Sequence, residues 1–318
     1  MFRQIDLIGV PSEAGGQNGT SGGPDVIGPF LVQLLSGERD LFAQYWNIRD
    51  HAHSPHLFMQ RGKKCGNVYY QKKIAKIADM TARHVSASLA VGHLPVVLGG
   101  DHSVAIGSGR AACDPDLLHK KTVGMIWIDA HYDAHTEKTS HSHNANGMPL
   151  ATLLGHGLEL FRPSRIKHDG VGKYTVPCPT FLPQNVLHLG AGTVDCEPEE
   201  MELLDRLGVK TFFAKELIQD CTPAWLALRD LLRRVDTVFV SFDLDAVDHA
   251  FAPAVHLQSR GGITRTLLLL IAEEIALSGK LRSVDIMEYK PSAEEFDGNG
   301  NGRTLCLAGD FLLRLLGQ

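Results

Sequence analysis

Short apolar runs alternate with longer amphipathic stretches along this chain, and that alternation limits the available folds more than any other feature. The runs Ile5–Val10, Pro95–Leu98, Val123–Ile128, Val186–Leu189, Thr237–Phe242 and Ser283–Ile286 are brief and nearly all apolar. Several are rich in β-branched or aromatic residues, which predicts strands covered on both faces. Between and after them, Val68–Val91, Pro198–Leu207, Trp225–Arg234, Thr264–Leu277 and Leu305–Leu316 place apolar residues at helical spacing. Such alternation is the pattern of βαβ units feeding a mostly parallel sheet. No repeat of about 20–50 residues appears, and no stretch reads as a linker, so residues 1–318 read as one domain. Loops are expected at Ser12–Pro29, His51–Asn67, Glu137–Asn146, Pro163–Pro183 and Phe296–Gly302.

Composition removes several classes. With 44% hydrophobic and 21% charged residues the chain can build a core, and whole-chain disorder is excluded. Lys and Arg total 31 against 36 Asp and Glu, net −5, with no polybasic run. A nucleic-acid or anionic-membrane surface is therefore not expected. The most apolar run, Leu267–Ile271, meets Glu273 and Glu274 well short of the roughly 18 residues a membrane-spanning helix needs. The opening MFRQIDLIGV lacks the features of a signal peptide. The six cysteines show no CxxC spacing, which excludes zinc-knuckle and thioredoxin-type readings. A reduced, cytoplasmic enzyme is the expectation.

The unusual chemistry falls at strand ends, where ligands bind in open α/β sheets. Asp101 and His102 follow Gly99-Gly100 at the end of one run, with Ser103 placed to cap the next helix. Asp129, His131, Asp133 and His135 follow another at period two, so at least the first three share a face if the chain stays extended. Asp243 and Asp245 end a third. Carboxylates held this close repel, and a divalent cation removes the penalty. His102, Asp129, His131, Asp133, Asp243 and Asp245 supply four carboxylates and two imidazoles, too many for one tetrahedral zinc. They suit two ions about 3.5–4 Å apart, which activate water at neutral pH. Mixed oxygen and nitrogen ligation without thiolates favours manganese and leaves nickel, cobalt and iron open. The Gly-rich stretch Gly15–Gly23 lacks a P-loop ending and the GxGxxG spacing, and reads instead as a flexible active-site loop.

Gly99-Gly-Asp-His102, Asp129-Ala-His-Tyr-Asp133 and Ser241-Phe-Asp-Leu-Asp245 resemble, in order and spacing, the signature motifs of the ureohydrolase (arginase/agmatinase/formimidoylglutamase) superfamily. Ile8-Gly-Val-Pro-Ser12, Gly22-Gly-Pro24 and Asp285-Ile-Met-Glu-Tyr-Lys-Pro291 extend the likeness over nearly the whole chain. The resemblance implies a single three-layer α/β/α domain on a mostly parallel sheet of about eight strands, assembled as a homotrimer or homohexamer. It also implies two Mn2+ per chain and hydrolysis of a small guanidino or formimino substrate. By position, one ion takes His102, Asp129, Asp133 and Asp243, and the other takes Asp129, His131, Asp243 and Asp245. Asp133 shuttles a proton, and Glu288 orients the guanidinium.

The pocket rim departs from the family pattern. Asn146 stands where a His usually precedes Gly-Met-Pro, and Asn cannot relay a proton, so His141 or His143 takes over or that step differs. Ser142, Asn144, Asn146 and Asp195 occupy substrate-binding places, with His135 where Asn is usual. The expected activity is arginase-like, arginine to ornithine and urea, with agmatinase, guanidino-acid hydrolase and formimidoylglutamase as alternatives. A one-zinc deacetylase fits less well, because no His-His pair occurs. A non-catalytic relative conflicts with the complete ligand set, since buried carboxylates without a metal are costly.

Overall fold

The computed structural model describes residues 4–16, 18–38, 41–48, 68–162, 164–168, 173–177, 181–192, 196–298 and 300–318. The first half runs β1 (Gln4–Val10), α1 (Gly23–Ser36), β2 (Phe42–Asn47), α2 (Gln71–Ala90), β3 (Leu94–Gly99), α3 (Ala105–Ala112), α4 (Pro115–Leu118) and β4 (Val123–Ile128). Next come α5 (Pro149–Leu153), β5 (Ser164–His168), β6 (Lys173–Pro177), β7 (Val186–Ala191), α6 (Pro198–Leu207), β8 (Lys210–Phe213) and α7 (Ala214–Gln219). The chain then forms α8 (Thr222–Arg234), β9 (Thr237–Asp243), α9 (Arg265–Ser278), β10 (Leu281–Met287) and α10 (Arg303–Leu315).

Eight strands form one parallel sheet in the order β2-β1-β3-β10-β9-β4-β7-β8. Alternate residues serve opposite faces, as the pleat requires. Ile126 and Ile128 of β4, with Val238, Val240 and Phe242 of β9, pack in one core with α1, α8, α9 and α10. Met125 and Trp127, with Phe239, pack in a second core with α2, α3, α5 and α6. These two cores sandwich the sheet, giving three layers. Each fully buried Leu, Ile, Val or Phe contributes roughly 1.5–3 kcal/mol, which is why the central strands read as mostly apolar runs.

All six expected strands are present. Four more were not expected: β2 and β8 at the sheet edges, and β5 and β6 as a separate antiparallel pair. The pair lies within Pro163–Pro183, so that loop expectation is corrected. The five expected helices are present with ends shifted by up to three residues. Ser12–Pro29 is not all loop, because α1 begins at Gly23. Pro24 suits a first helical turn, and Ile27, Leu31 and Leu35 form a buried stripe; the surrounding glycines and prolines mask that stripe in the sequence. His51–Asn67 lies outside the described residues. Among the described residues no helix is long and apolar enough to cross a membrane.

Candidate active site

Strands β3, β10, β9 and β4 are neighbours at the centre of the sheet. Their carboxyl ends deliver His102, Glu288, Asp243 and Asp129, so residues far apart in sequence meet at one edge. The turn after β3 is tight. Gly100 N–H donates to Val10 O and Gly100 O accepts from Glu288 N–H, while a Cβ on Gly100 would sit 1.8 Å from Ser12 O. Asp101, rather than Ser103, caps the next turn: its Oδ1 accepts from Ser103 N–H at 2.9 Å. Its Oδ2 accepts from Gly15 N–H at 2.8 Å and so anchors the Gly-rich loop beside the cleft.

After β4 the chain does not stay extended. Asp133 has φ +49°, and Asp129 Oδ1 accepts from His131 N–H at 2.7 Å. Trp127 Nε1–H donates to Asp129 Oδ2 at 3.0 Å, and the Trp127 ring stacks on His102 with centroids 4.4 Å apart. After β9, a single 3₁₀ turn brings Asp245 back, and Asp243 Oδ1 accepts its N–H at 2.9 Å. Turns, not the period-two spacing, complete the convergence.

The six side chains meet in two overlapping groups. His102 Nδ1 has Asp243, Asp129 and Asp133 oxygens at 2.9, 3.1 and 3.2 Å. His131 Nδ1 has Asp245 Oδ2 at 3.2 Å and Asp129 Oδ1 at 3.6 Å. One ligand atom each from His102, Asp129 and Asp133, and likewise from Asp129, His131 and Asp245, fall within 4.8 Å of one another. Asp129 belongs to both groups. Despite these distances, His102 Nδ1, Asp133 Oδ2 and Asp245 Oδ1 are buried without a well-aligned hydrogen-bond partner. Buried polar atoms normally have one, so lone pairs converging on shared space fit divalent cations.

The electrostatics agree. Burial, with the Asp129 charge, holds the Asp133 carboxyl well above the usual carboxylate range. Burial and the Asp245 and Asp129 charges push Asp243 up to about 8. Burial opposes charge on His102 and His131, yet the surrounding carboxylates hold both imidazoles well above their ordinary value. Burial would raise Asp129, but its bonds to the two histidines lower it. Without cations, protons must neutralise part of this cluster.

The groups open into a cleft of about 280 Å³. Glu288, at φ +66°, reaches in from β10; its Oε1 accepts from His102 N–H at 2.8 Å and its Oε2 from the Asn18 side-chain amide. Burial, with the charges of Asp243 and Asp101, raises its carboxyl well above the usual range. His135, Ser142, Asn144 and Asn146 also line the cleft. His135 does not join the six: its Nε2 lies 3.3 Å from Glu197 Oε2 and 3.5 Å from Glu200 Oε2, and its Nδ1 lies 3.1 Å from Thr139 Oγ1. His143 is not among the lining residues and packs edge-on against Tyr69. His141 is exposed and pairs with Glu197 at 2.8 Å. Asp195 lies outside the described residues.

Sequence reasoning missed Asn18, Glu197, Glu200 and His256 as lining residues. Glu200 also accepts from Ala134 N–H at 3.0 Å and Glu197 N–H at 3.3 Å; burial pushes its carboxyl up to about 7. Among these, only Asn18 carried a signal, its place in the Gly-rich loop.

Residues 3–317 match the protein-family model described as "Arginase family". The chain belongs to the arginase family. It is 31% identical over 302 residues to human arginase-1, covering 91% of this chain and 86% of that one. Arginase from Brevibacillus brevis is 31% identical over 297 residues, 92% of each chain. The arginase structure from Bacillus caldovelox superposes with TM-score 0.83 at 27% identity, covering 99% of this chain and 98% of that one. As a member of the arginase family the chain is a metal-dependent ureohydrolase, and the buried donor cluster is its candidate metal centre.

Proposed function

We propose that this chain hydrolyses a guanidino compound carrying a free amine, arginine first, to urea and the corresponding amine. The observation that carries this reading is the charge of the cleft. Glu288, Glu197 and Glu200 line it, and no Lys or Arg does among the described residues. A buried carboxylate without a cation is unfavourable, and a guanidinium, planar and permanently charged, is the complement that Glu288 lacks. Glu197 and Glu200 favour a second positive group on the tail. Ser142, Asn144 and Asn146 offer donors to a carboxylate, which separates arginine from agmatine. A dicarboxylate such as formiminoglutamate would bring a second carboxylate into a cleft already lined by Glu197 and Glu200.

The cofactor in this proposal is two Mn2+. His102, Asp129, Asp133 and Asp243 would hold one ion, and Asp129, His131, Asp243 and Asp245 the other. When bound, such a pair supplies Lewis acidity and a water that is nucleophilic at neutral pH. The protein's own groups do the rest. Glu288 binds the guanidinium and orients its carbon toward the six-residue cluster. Asp133, whose Oδ2 has no well-aligned hydrogen-bond partner, takes a proton from the attacking water and returns it to the leaving nitrogen as the C–N bond breaks. Asn146 lines the cleft as a donor and acceptor, not a proton carrier. A homotrimeric or homohexameric assembly and a cytoplasmic location belong to the same proposal on family likeness alone.

The test is incubation of the manganese-loaded protein with arginine, agmatine, guanidinobutyrate and formiminoglutamate, followed by product identification. Ornithine and urea at the highest kcat/KM are expected. Formamide and glutamate as the main products, or urea from guanidinobutyrate alone, would overturn the reading.

A further inference from the structure

His102 has a second ring nitrogen, and it points away from the cleft into the sheet. Nε2 lies 2.9 Å from Ser241 Oγ on β9. The Ser241 hydroxyl donates to Asp285 Oδ1 on β10 at 2.6 Å. Ser108 of α3 donates to Asp285 Oδ2 at 2.5 Å. Ser108, Ser241 and Asp285 are fully buried, and none of the three lines the cleft. No cation pairs with Asp285 among the described residues, so this carboxylate needs a physical reason to be there.

The donor order supplies one. An ionised carboxylate only accepts, and a serine hydroxyl has a single hydrogen. With that hydrogen directed at Asp285, Ser241 Oγ can only accept from His102. Nε2 therefore keeps a ring hydrogen, and with an ion bound Nδ1 would be the nitrogen left to offer its lone pair beside Asp129, Asp133 and Asp243. We infer that Asp285, acting through Ser241, is a positioning residue that fixes the His102 tautomer and ring plane for metal ligation. This inference rests on the two-ion reading above. The same chain of bonds makes His102 a more basic ligand, because the hydrogen it donates leads to a negative charge. Trp127, stacked on the ring, holds its plane from one face. Ser108 occupies the other side of Asp285 and does not touch His102, so it is an internal control with equal burial.

The experiment compares wild type, Ser241→Ala, Asp285→Asn and Ser108→Ala by manganese titration calorimetry, metal content after dialysis, and melting of the metal-free proteins. Wild type is expected to hold two ions. Ser241→Ala and Asp285→Asn should each weaken the ion on the His102 side by about 10–100-fold, leaving one ion per chain where wild type keeps two. Ser108→Ala should stay within about threefold of wild type. Metal-free melting temperatures should not follow this order, because the effect is on ligation rather than packing. Wild-type affinity in both Ser241→Ala and Asp285→Asn overturns the relay, as does an equal loss in Ser108→Ala. Should one variant fail to fold, the other two still decide. A wild-type chain that takes up no manganese overturns the two-ion reading and the relay with it, whereas two tight ions in wild type and both relay variants overturn the relay alone.

Discussion

Asp133 and Glu288 share a backbone feature as well as a cleft: both are non-glycine residues at positive φ, +49° and +66°. Such conformations are sparsely populated and persist where surrounding structure enforces them. Here the Asp133 carbonyl accepts from Leu150 N–H at 2.9 Å, and Glu288 N–H donates to Gly100 O at 2.9 Å. Asp133→Asn retains shape and these backbone bonds, so the metal-free fold should melt at or above the wild-type temperature. Turnover should fall at least about 100-fold, and His131→Asn should abolish it. Steady-state kinetics on the folded variants checks both, and full activity in either would remove the assigned roles. The six candidate ligands were legible in the sequence because each lies at a strand end or within about one turn of one. Asn18 was legible only through its place in the Gly-rich loop, and Ser241 and Asp285 were not legible as functional groups, because their meaning lies in contacts with residues far away. His102 and Ser241, for example, are 139 positions apart.

Among the elements, the central strands were legible and the edges were not. β4 and β9 are covered on both faces and mostly apolar, whereas β2, FAQYWN, is half-exposed with Phe42 65% and Trp46 54% accessible. An edge strand has no second helix layer to demand an unbroken apolar run. Helix α10 shows a similar limit. Its N-cap Gly302 has no side chain to offer, and the missing acceptor comes from Glu294. The Glu294 carboxylate accepts from Thr304 N–H and Leu305 N–H, each at 3.1 Å, and from Tyr289 O–H at 3.0 Å. It thus ties the turn after β10 to the start of α10. Glu294→Ala should lower stability by about 1–2 kcal/mol, read as a shifted urea midpoint with an unchanged slope. An unchanged midpoint would show that water replaces the carboxylate without loss.

At the scale of the whole molecule, the candidate centre couples acidity to stability. Without ions, burial and the neighbouring carboxylates push the Asp243 carboxyl up to about 8 in the fold, against an ordinary value of 3.8. The stabilising contribution of its protonated form is complete below about pH 4 and lost as pH rises through 8. Asp133, Glu288, His102 and His131 are displaced in the same direction, and Asp129 opposes them. Metal-free protein should therefore melt at progressively lower temperature from pH 5 to 8. Manganese requires the ligands deprotonated, so its stabilising effect should widen over that range, with protons released on binding. Calorimetry in buffers of different ionisation enthalpy checks this, and a pH-independent gap in melting temperature between loaded and chelated protein would contradict it. The sheet order has a further consequence. β10 is the last described strand in the chain, yet it inserts between β3 and β9. His102, Asp129, His131 and Asp133 all precede Asp243 and Asp245 in the chain, so the earlier donors stand ready before the later pair exists. Because that strand fills the space between β3 and β9, His102 can meet Asp243 across it only in a sheet whose centre has been completed by a late segment of the chain.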